Sequence, residues 1–337
     1  MSNQTKGTIS MVGKKKKTVI ATNSWYGNQI TLLEERGVDV RLLPDRADEF
    51  FLEEMKTAHA LIPGLLSVSR LIMENSPHLV IVAAHGVGYN NVDIPAANEL
   101  GIVVTNIPGV NSDAVAEFSF GLILALVRHI PSFFEEMKKG GWRRPEFWGV
   151  ELRGKTLSII GLGRIGSRVS RLGNAFGMKI LAYDPYIPEQ DFRKAGAQPA
   201  SRDEAISQAD FLTLHAPLTA ETRNMIDMRE LAMMKKTALL INTARGGIVN
   251  EIALVKALDQ ALLAGAGIDV FEEEPPQDRR LAAHPKVISS PHNAGLSNEA
   301  RSRMSRGAAE RVAYALRGEM PPDVVNHPLN PRYIGMG

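Results

Sequence analysis

Short apolar, β-branched runs alternate with longer helical patterns almost from end to end of this chain, and this alternation limits the possible folds. Each run is hydrophobic at nearly every position, as expected of strands buried on both faces in a parallel sheet covered by helices. The predicted strands are 18–22, 38–43, 79–84, 101–106, 156–161, 179–184, 210–215, 238–243, 266–271 and 286–291. The pattern predicts a doubly wound α/β protein.

Two helical patterns mark the limits of the second series of strands. The stretch 113–130 is the longest helical pattern; Asn111 or Ser112 could cap its start, and Pro131 is expected to stop it. It is apolar nearly all round, so we expect it to be buried at a boundary between domains or subunits. The stretch 297–318 offers a return path from the second domain to the first.

These limits predict a nucleotide-binding domain at 113–296, inserted in an outer domain formed by 1–112 and 297–337. A length of 337 residues suits two such domains. The apolar helix also suggests a homodimer, because so hydrophobic a surface would be costly to leave in water.

Composition excludes several classes of function. The net charge of +2 gives no indication of a nucleic-acid partner, and none is expected. The basic run Lys14–Lys17 is expected to be a solvated N-terminal tail. The chain has no cysteine, which excludes disulfides, thiolate catalysis and cysteine metal sites and fits the cytoplasm. No run reaches the ~20 apolar residues of a membrane span, and neither a signal peptide nor a metal site is predicted.

A glycine-rich turn, Gly161-Leu-Gly163-Arg164-Ile165-Gly166, follows an apolar strand and precedes a helical pattern. In that context the first glycine permits a tight turn, the second lets the backbone approach a pyrophosphate, and the third packs helix on strand. Asp184 ends the next strand, where a carboxylate accepts from a ribose 2′-OH and repels a 2′-phosphate. The arrangement predicts a dinucleotide site that prefers NAD to NADP.

Three further strand ends carry charged side chains. Arg245 follows one strand, three glutamates follow the next in Asp269-Val-Phe-Glu-Glu-Glu-Pro-Pro276, and His292 follows the third. Ligands bind at the carboxyl ends of strands in open α/β sheets, so we expect these segments to face the crevice of the glycine-rich turn. Each residue alone is more often a surface charge or a satisfied polar group, but charged residues at three neighbouring strand ends together indicate catalysis.

From about residue 80 to Val324-Val-Asn326 the chain resembles the D-isomer-specific 2-hydroxyacid dehydrogenases, NAD-dependent oxidoreductases acting on CH–OH groups. The segments that carry the resemblance are 86–93, 106–117, 154–166, 215–226, 242–250, 267–275 and 291–295. The resemblance implies a Rossmann NAD-binding domain inserted in a flavodoxin-like substrate domain, both with doubly wound parallel sheets. The implied substrate is a small 2-keto or 2-hydroxy acid.

The resemblance also implies roles for the charged residues. Arg245 would hold the substrate carboxylate, His292 would be the general acid, and Glu274 would fix the tautomer of His292. Glu272 and Glu273 would then be solvated neighbours, and the prolines would help to direct Glu274.

Other residues of the resemblance touch the ligands. The backbone of Gly86, Val87 and Gly88 in the outer domain would give a second carboxylate anchor, completed by domain closure. Asn111 would either approach the substrate or cap its helix. Further cofactor contacts are expected at His215, Pro217, Thr222, Thr243 and Asp269, although Pro217 is nearly as easily a structural turn.

Phosphoglycerate-using members often carry an arginine before the glycine loop, where this chain has His85. This departure slightly favours an unphosphorylated substrate such as glyoxylate or hydroxypyruvate over a phosphoglycerate-like one. Two alternatives remain open: a phosphite-type dehydrogenase, and an NAD(H)-sensing protein like the C-terminal-binding-protein corepressors. The glutamate argues against formate dehydrogenases, in which a glutamine replaces it.

Overall fold

The computed structural model describes residues 16–22, 31–142 and 148–332. The strands are β1 Thr18–Thr22, β2 Asp39–Leu43, β3 Ala58–Ile62, β4 Ile81–Ala83, β5 Val103–Thr105, β6 Thr156–Ile160, β7 Lys179–Tyr183, β8 Gln198–Pro199, β9 Phe211–Leu214, β10 Leu239–Asn242, β11 Gly265–Ile268 and β12 Val287–Ser289. The helices are α1 Thr31–Glu34, α2 Glu49–Met55, α3 Arg70–Glu74, α4 Ile94–Glu99, α5 Ser112–Val127, α6 Ile130–Lys138, α7 Arg164–Ala175, α8 Glu189–Ala195, α9 Arg202–Gln208, α10 Met228–Met233, α11 Glu251–Asp259 and α12 Asn298–Leu316.

The chain divides into two compact units. Unit 1 comprises Met1–Val110 and Arg301–Gly337, and unit 2 comprises Asn111–Ala300. The second division falls inside α12, three residues after the helix begins.

Unit 1 is built on a five-stranded parallel sheet with the order β2-β1-β3-β4-β5. This is the flavodoxin-like order of a doubly wound sheet. Its core contains Ile20, Phe51, Leu61, Ile72 and Val82. The strand β3, with the sequence Ala-His-Ala-Leu-Ile, was not predicted because a histidine interrupts its short apolar run.

Unit 2 is built on a seven-stranded parallel sheet with the order β12-β11-β10-β9-β6-β7-β8. Renumbered from β6, this is the Rossmann order with one added strand. Successive residues of β10 enter two cores, since Leu239 and Ile241 belong to one cluster and Leu240 to the other. Burial on both faces explains why the strands are hydrophobic at successive positions, and it confirms the predicted fold class.

The prediction of a helix over 113–130 is wrong in its limits, and it is also wrong that this helix is the longest. α5 ends at Val127, and His129 takes a left-handed conformation (φ 51°) before α6 begins at Ile130. Pro131 lies in the first turn of α6, where it needs no N–H donor, so it starts a helix instead of stopping one. α12, with 19 residues, is longer than α5, with 16.

α5 is buried inside unit 2 itself. Phe120, Leu122, Ile123 and Val127 belong to the same core as Leu239 and Ile241 of the sheet. The apolar character of α5 is therefore accounted for by its own unit and does not by itself require a second subunit.

Two smaller expectations concern the basic run near the N-terminus and the lack of a membrane span. Lys14 and Lys15 of the basic run lie outside the described residues, whereas Lys17 donates to the carbonyl oxygen of Leu316. Within the described residues no single helix is long and apolar enough to cross a bilayer, although the bent pair α5 and α6 together passes that test of length and composition.

Candidate active site

The glycine-rich turn joins β6 to α7 in unit 2. Gly161 has a φ of 89°, and a Cβ atom there would lie 2.8 Å from the backbone N of Ala216. A Cβ atom on Gly166 would lie 2.1 Å from the carbonyl oxygen of Gly161. Both positions therefore admit glycine only, because backbone rather than a movable side chain fills the space.

Gly163 differs from these two, since a Cβ atom there would meet nothing within 4 Å. Gly163 is the N-cap of α7, so the backbone N–H groups of Arg164, Ile165 and Gly166 begin the helix beside this open space. Free N–H groups and the positive end of a helix dipole favour an anion such as a pyrophosphate at a position of this kind. The residues present thus fit the diphosphate of a dinucleotide.

Asp184 follows β7 and lies beside the turn. Its Oδ2 accepts from the N–H of Leu162 at 2.9 Å, and its Oδ1 accepts from the N–H of Tyr186 at 3.0 Å. The carboxylate therefore fixes the glycine-rich turn while it remains half-buried at the strand end. Its remaining lone pairs are free to accept from a ribose hydroxyl, the predicted contact.

The segment after β9 contains three of the predicted cofactor contacts. The Oγ1 of Thr222 donates to the carbonyl oxygen of Pro217 at 2.6 Å and accepts from the N–H of Thr219 at 2.8 Å. Thr222 therefore closes a turn of its own loop, a structural role that the sequence did not indicate.

His215 lies half-buried at the end of β9, and desolvation lowers its pKa to about 3. Its Nε2 pairs with Oγ1 of Thr213 at 2.9 Å, whereas its Nδ1 is buried without a partner among the described residues. A buried polar atom without a partner is costly, so this nitrogen fits a contact with a bound ligand.

Arg245 follows β10 and is mostly buried. Its Nη1 donates to the carbonyl oxygen of Ala244 at 2.7 Å, and its own carbonyl accepts from Nδ2 of Asn242 at 3.1 Å. Burial lowers the pKa of Arg245, and the charge of Glu274 opposes that shift. No ion pair to Arg245 occurs among the described residues, so its guanidinium is available to a bound anion.

Glu274 follows β11, the strand next to β10, and precedes Pro275. Its Oε1 accepts from the N–H of Phe271 at 3.0 Å, which turns the carboxylate back over its own loop. Glu272 is exposed, as expected of a solvated neighbour, and its Oε1 also pairs with Nη1 of Arg223 at 3.0 Å. Glu273 is exposed.

His292 follows β12 and has a left-handed backbone with φ 54°. Asp269, at the end of β11, holds this loop: its Oδ1 accepts from Ser290 at 2.5 Å and from the N–H of Asn293 at 2.8 Å, and its Oδ2 accepts from the N–H of Ala294 at 2.9 Å. The side chain of Asp269 is therefore occupied in shaping the histidine loop. Its contact with the nicotinamide stays a prediction.

The side chains of His292 and Glu274 meet, with 2.6 Å between Nδ1 and Oε2. Burial raises the pKa of Glu274, but the hydrogen bonds from His292 and Phe271 and the charges of His292 and Arg245 outweigh it, so the net pKa lies below its ordinary value. The carboxylate stays ionised near neutral pH and favours a proton on Nδ1. Nε2 is then the nitrogen that can exchange a proton with a substrate.

Two further residues were predicted to contact the ligands, Asn111 with capping of its helix as the alternative and Thr243 without one. Asn111 is the N-cap of α5 but makes no side-chain capping bond, and its buried Oδ1 has no partner among the described residues. Its Nδ2 lies beside Gly295, where a Cβ atom would come within 2.5 Å. Thr243 is buried and pairs with Oγ of Ser119 at 2.8 Å.

The predicted carboxylate anchor belongs to unit 1. The carbonyl oxygens of Gly86 and Val87 accept from the N–H of Ile107 and from Nδ2 of Asn106, each at 2.7 Å. Across the described part of the chain, no hydrogen bond to the backbone N–H groups of Gly86, Val87 or Gly88 occurs. These donors therefore suit an anion.

His85 precedes this loop, and burial lowers its pKa to about 4. Its Nε2 lies 3.0 Å from Oγ of Ser305 in α12. The imidazole is neutral near neutral pH, so His85 carries no positive charge beside the glycine loop.

Comparison with known proteins gives the family. The model of the NAD binding domain of D-isomer specific 2-hydroxyacid dehydrogenases matches residues 120–294. A D-3-phosphoglycerate dehydrogenase of Methanocaldococcus jannaschii is 41% identical over 93% of this chain and 60% of its own length. A glyoxylate reductase of Aeropyrum pernix is 44% identical over 82% of this chain and 86% of its own length.

A solved structure resembles this chain over most of its length. The D-lactate dehydrogenase of Aquifex aeolicus, complexed with NAD and lactic acid, is 28% identical, with a TM-score of 0.80 over 93% of this chain and 100% of that one. The expected cofactor, NAD, is confirmed by the family match and by such neighbours. The chain belongs to the D-isomer specific 2-hydroxyacid dehydrogenases, NAD-dependent oxidoreductases that act on CH–OH groups.

Proposed function

We propose that this protein interconverts a small unphosphorylated 2-keto acid and its D-2-hydroxy acid, with Arg245, Glu274 and His292 as the catalytic residues. The observation that carries the proposal is the pairing of His292 with Glu274, 2.6 Å apart, at strand ends next to that of Arg245. A histidine fixed by a carboxylate and a buried arginine suit proton transfer to a carbonyl whose carboxylate is held.

In the direction of reduction, bound NADH supplies the hydride. Arg245 binds the substrate carboxylate and draws electron density from the carbonyl. His292 donates the proton of Nε2 to the carbonyl oxygen, while Glu274 keeps the proton on Nδ1 and stabilises the imidazolium before the transfer. In the direction of oxidation His292 accepts the hydroxyl proton.

The same proposal assigns the remaining contacts. Residues 113–296 form the NAD-binding domain, and 1–112 with 297–337 form the substrate domain. Gly86, Val87 and Gly88 bind the substrate carboxylate through backbone N–H groups, and Asn111 uses its unpaired Oδ1 on the substrate side. The proposed cofactor contacts are Gly161, Gly163, Arg164, Ile165, Gly166, Asp184, His215, Pro217, Thr222, Thr243 and Asp269.

His85 supports an unphosphorylated substrate. With its pKa lowered to about 4 it adds no charge to the glycine loop, and a phosphate dianion needs one or more cations to offset its desolvation. The relatives named above act on both kinds of substrate, so their names do not decide the question for this chain.

We also propose that the protein is a cytoplasmic homodimer. The support is an exposed apolar face on α6, where Ile130 is 53% exposed, Phe134 58% and Met137 54%. A second copy would cover such a face. The absence of cysteine fits the cytoplasm. Light scattering on the purified protein should give twice the mass of 36.8 kDa, and a monomer at micromolar concentration would contradict the dimer.

The deciding experiment follows the loss of NADH absorbance with a panel of 2-keto acids. Glyoxylate, hydroxypyruvate, pyruvate, phenylpyruvate, 2-ketoglutarate and phosphohydroxypyruvate are compared, each also with NADPH. We expect turnover of an unphosphorylated member with NADH. Preference for phosphohydroxypyruvate would overturn the substrate class, and silence across the panel with tight NADH binding would indicate an NAD(H) sensor or a phosphite-type substrate.

A further inference from the structure

Glu251 links the segment that follows Arg245 to the loop that carries Glu274. It is the first residue of α11, after the N-cap Asn250. Its Oε1 accepts from the backbone N–H of Glu272 at 2.6 Å. Glu272 lies two residues before Glu274, so this bond fixes the backbone just ahead of the proposed catalytic carboxylate.

The two segments are also in direct backbone contact. A Cβ atom on Gly246 would lie 1.8 Å from the carbonyl oxygen of Phe271 and 2.4 Å from the N of Glu272. Arg223 adds a further contact through its 3.0 Å ion pair with Glu272. The backbone at Glu272 is thus held by Glu251, while the side chain of Glu272 pairs with Arg223.

The surroundings of Glu251 disfavour its negative charge, and its position at the start of a helix does not by itself explain a glutamate there. Burial raises its pKa, the N–H of Glu272 lowers it, and the charges of Glu272, Asp278 and Glu274 raise it further. Glu189, at the same position of α8, is instead exposed and paired with Arg193. A half-buried acid among three others costs stability, and such costs are retained mainly at functional sites.

We propose that Glu251 is a positioning residue for the reaction. By fixing the N–H of Glu272, it holds the loop so that Glu274 meets His292 in the orientation needed for proton transfer. The inference rests on the proposed roles of Glu274 and His292. Displacing a reacting group by about 1 Å can cost up to ~100-fold in rate, so a single supporting bond can be detected kinetically.

The test compares three changes at Glu251 with a matched control. Glu251→Ala removes the acceptor, and Glu251→Asp keeps the charge but shortens the side chain away from the N–H. Both should lower kcat by about tenfold to a hundredfold, while KM and the Kd for NADH change less than about twofold. Glu251→Gln keeps an oxygen in place and should recover most of kcat. Glu189→Ala, a first-turn glutamate elsewhere, should leave kcat unchanged.

A double-mutant cycle separates positioning from a general structural role. If Glu251 acts through Glu274, then Glu251→Asp should not lower kcat any further in a variant that already carries Glu274→Gln. A normal kcat for both Glu251→Ala and Glu251→Asp, an equal loss in Glu251→Gln, or additive losses in the cycle would overturn the inference. The variant His292→Ala tests the proposed function separately from the role of Glu251. If this variant is active, the catalytic assignment itself is contradicted, whatever the result for the Glu251 variants.

Discussion

The Nδ1 atom of His292 lies 2.6 Å from Oε2 of Glu274, although the two residues are 18 positions apart in the chain. They follow neighbouring strands, β12 and β11, and the segment after β11 holds both: the N–H of Phe271 binds Glu274, and Asp269 shapes the turn of His292. The pair is thus oriented before any substrate arrives, which is what general acid catalysis needs.

Replacing His292 should remove the proton donor without disturbing the cofactor site. We expect His292→Ala to lower kcat by about a hundredfold or more, on the scale of general acid catalysis, with an unchanged Kd for NADH. Steady-state kinetics and fluorescence titration with NADH measure the two quantities. A variant with near-normal turnover would show that another group donates the proton.

Asp184 should set the choice between NADH and NADPH. Its carboxylate repels a 2′-phosphate, so Asp184→Ala should narrow the ratio of kcat/KM for the two cofactors. The same change frees the N–H of Leu162, so we also expect weaker binding of NADH. Both cofactors are titrated with one keto acid, and an unchanged ratio would mean that another residue discriminates.

Two glycines of the same turn should respond differently to one methyl group. Gly163→Ala places the methyl in open space where the diphosphate is expected, so it should weaken NADH binding and leave the Tm nearly unchanged. Gly166→Ala drives the methyl against the carbonyl oxygen of Gly161 and should lower the Tm. Thermal unfolding without cofactor and NADH titration separate the effects. An equal loss of Tm in the Gly163→Ala and Gly166→Ala variants would contradict the open space beside Gly163.

His85 should make stability depend on pH. Its pKa is lowered from 6.5 to about 4, so between these values the unfolded chain binds a proton that the folded chain does not. The contribution of His85 to the free energy of unfolding is fully present above the pKa that the residue has in the unfolded chain. It falls as the pH drops towards 4, by about 1.4 kcal/mol per pH unit at most.

The matched variant is His85→Gln, which does not titrate and keeps a donor for Ser305. Urea unfolding from near neutral pH down to pH 5 should show a shallower loss of stability for this variant than for the unaltered protein. Parallel curves would mean that the imidazole is accessible enough to be protonated in the folded state.

The fold class and the order of the candidate functional residues along the chain can be predicted from the amino-acid sequence alone. Runs such as 156–161 and 238–243 are apolar at nearly every position because both faces of the sheet are covered, and this local signal survives without tertiary context. The glycine spacing at 161–166 is also a local signal, although its cause is local only in part: Gly166 packs against the carbonyl of Gly161, whereas the backbone of Ala216, after β9, fills the space beside Gly161. These features could be predicted because short stretches of chain specify them.

Which side chains meet depends on the tertiary structure. It broke the predicted helix 113–130 at Val127 and buried α5 in its own unit. It also gave Thr222 a partner in its own loop and Asp269 partners in the loop of His292. It also joined Glu251 to Glu272, 21 residues apart, a link that spacing does not indicate because the contact forms between loops of neighbouring strands. Strand order and loop packing, which arise only when the sheet assembles, set these contacts.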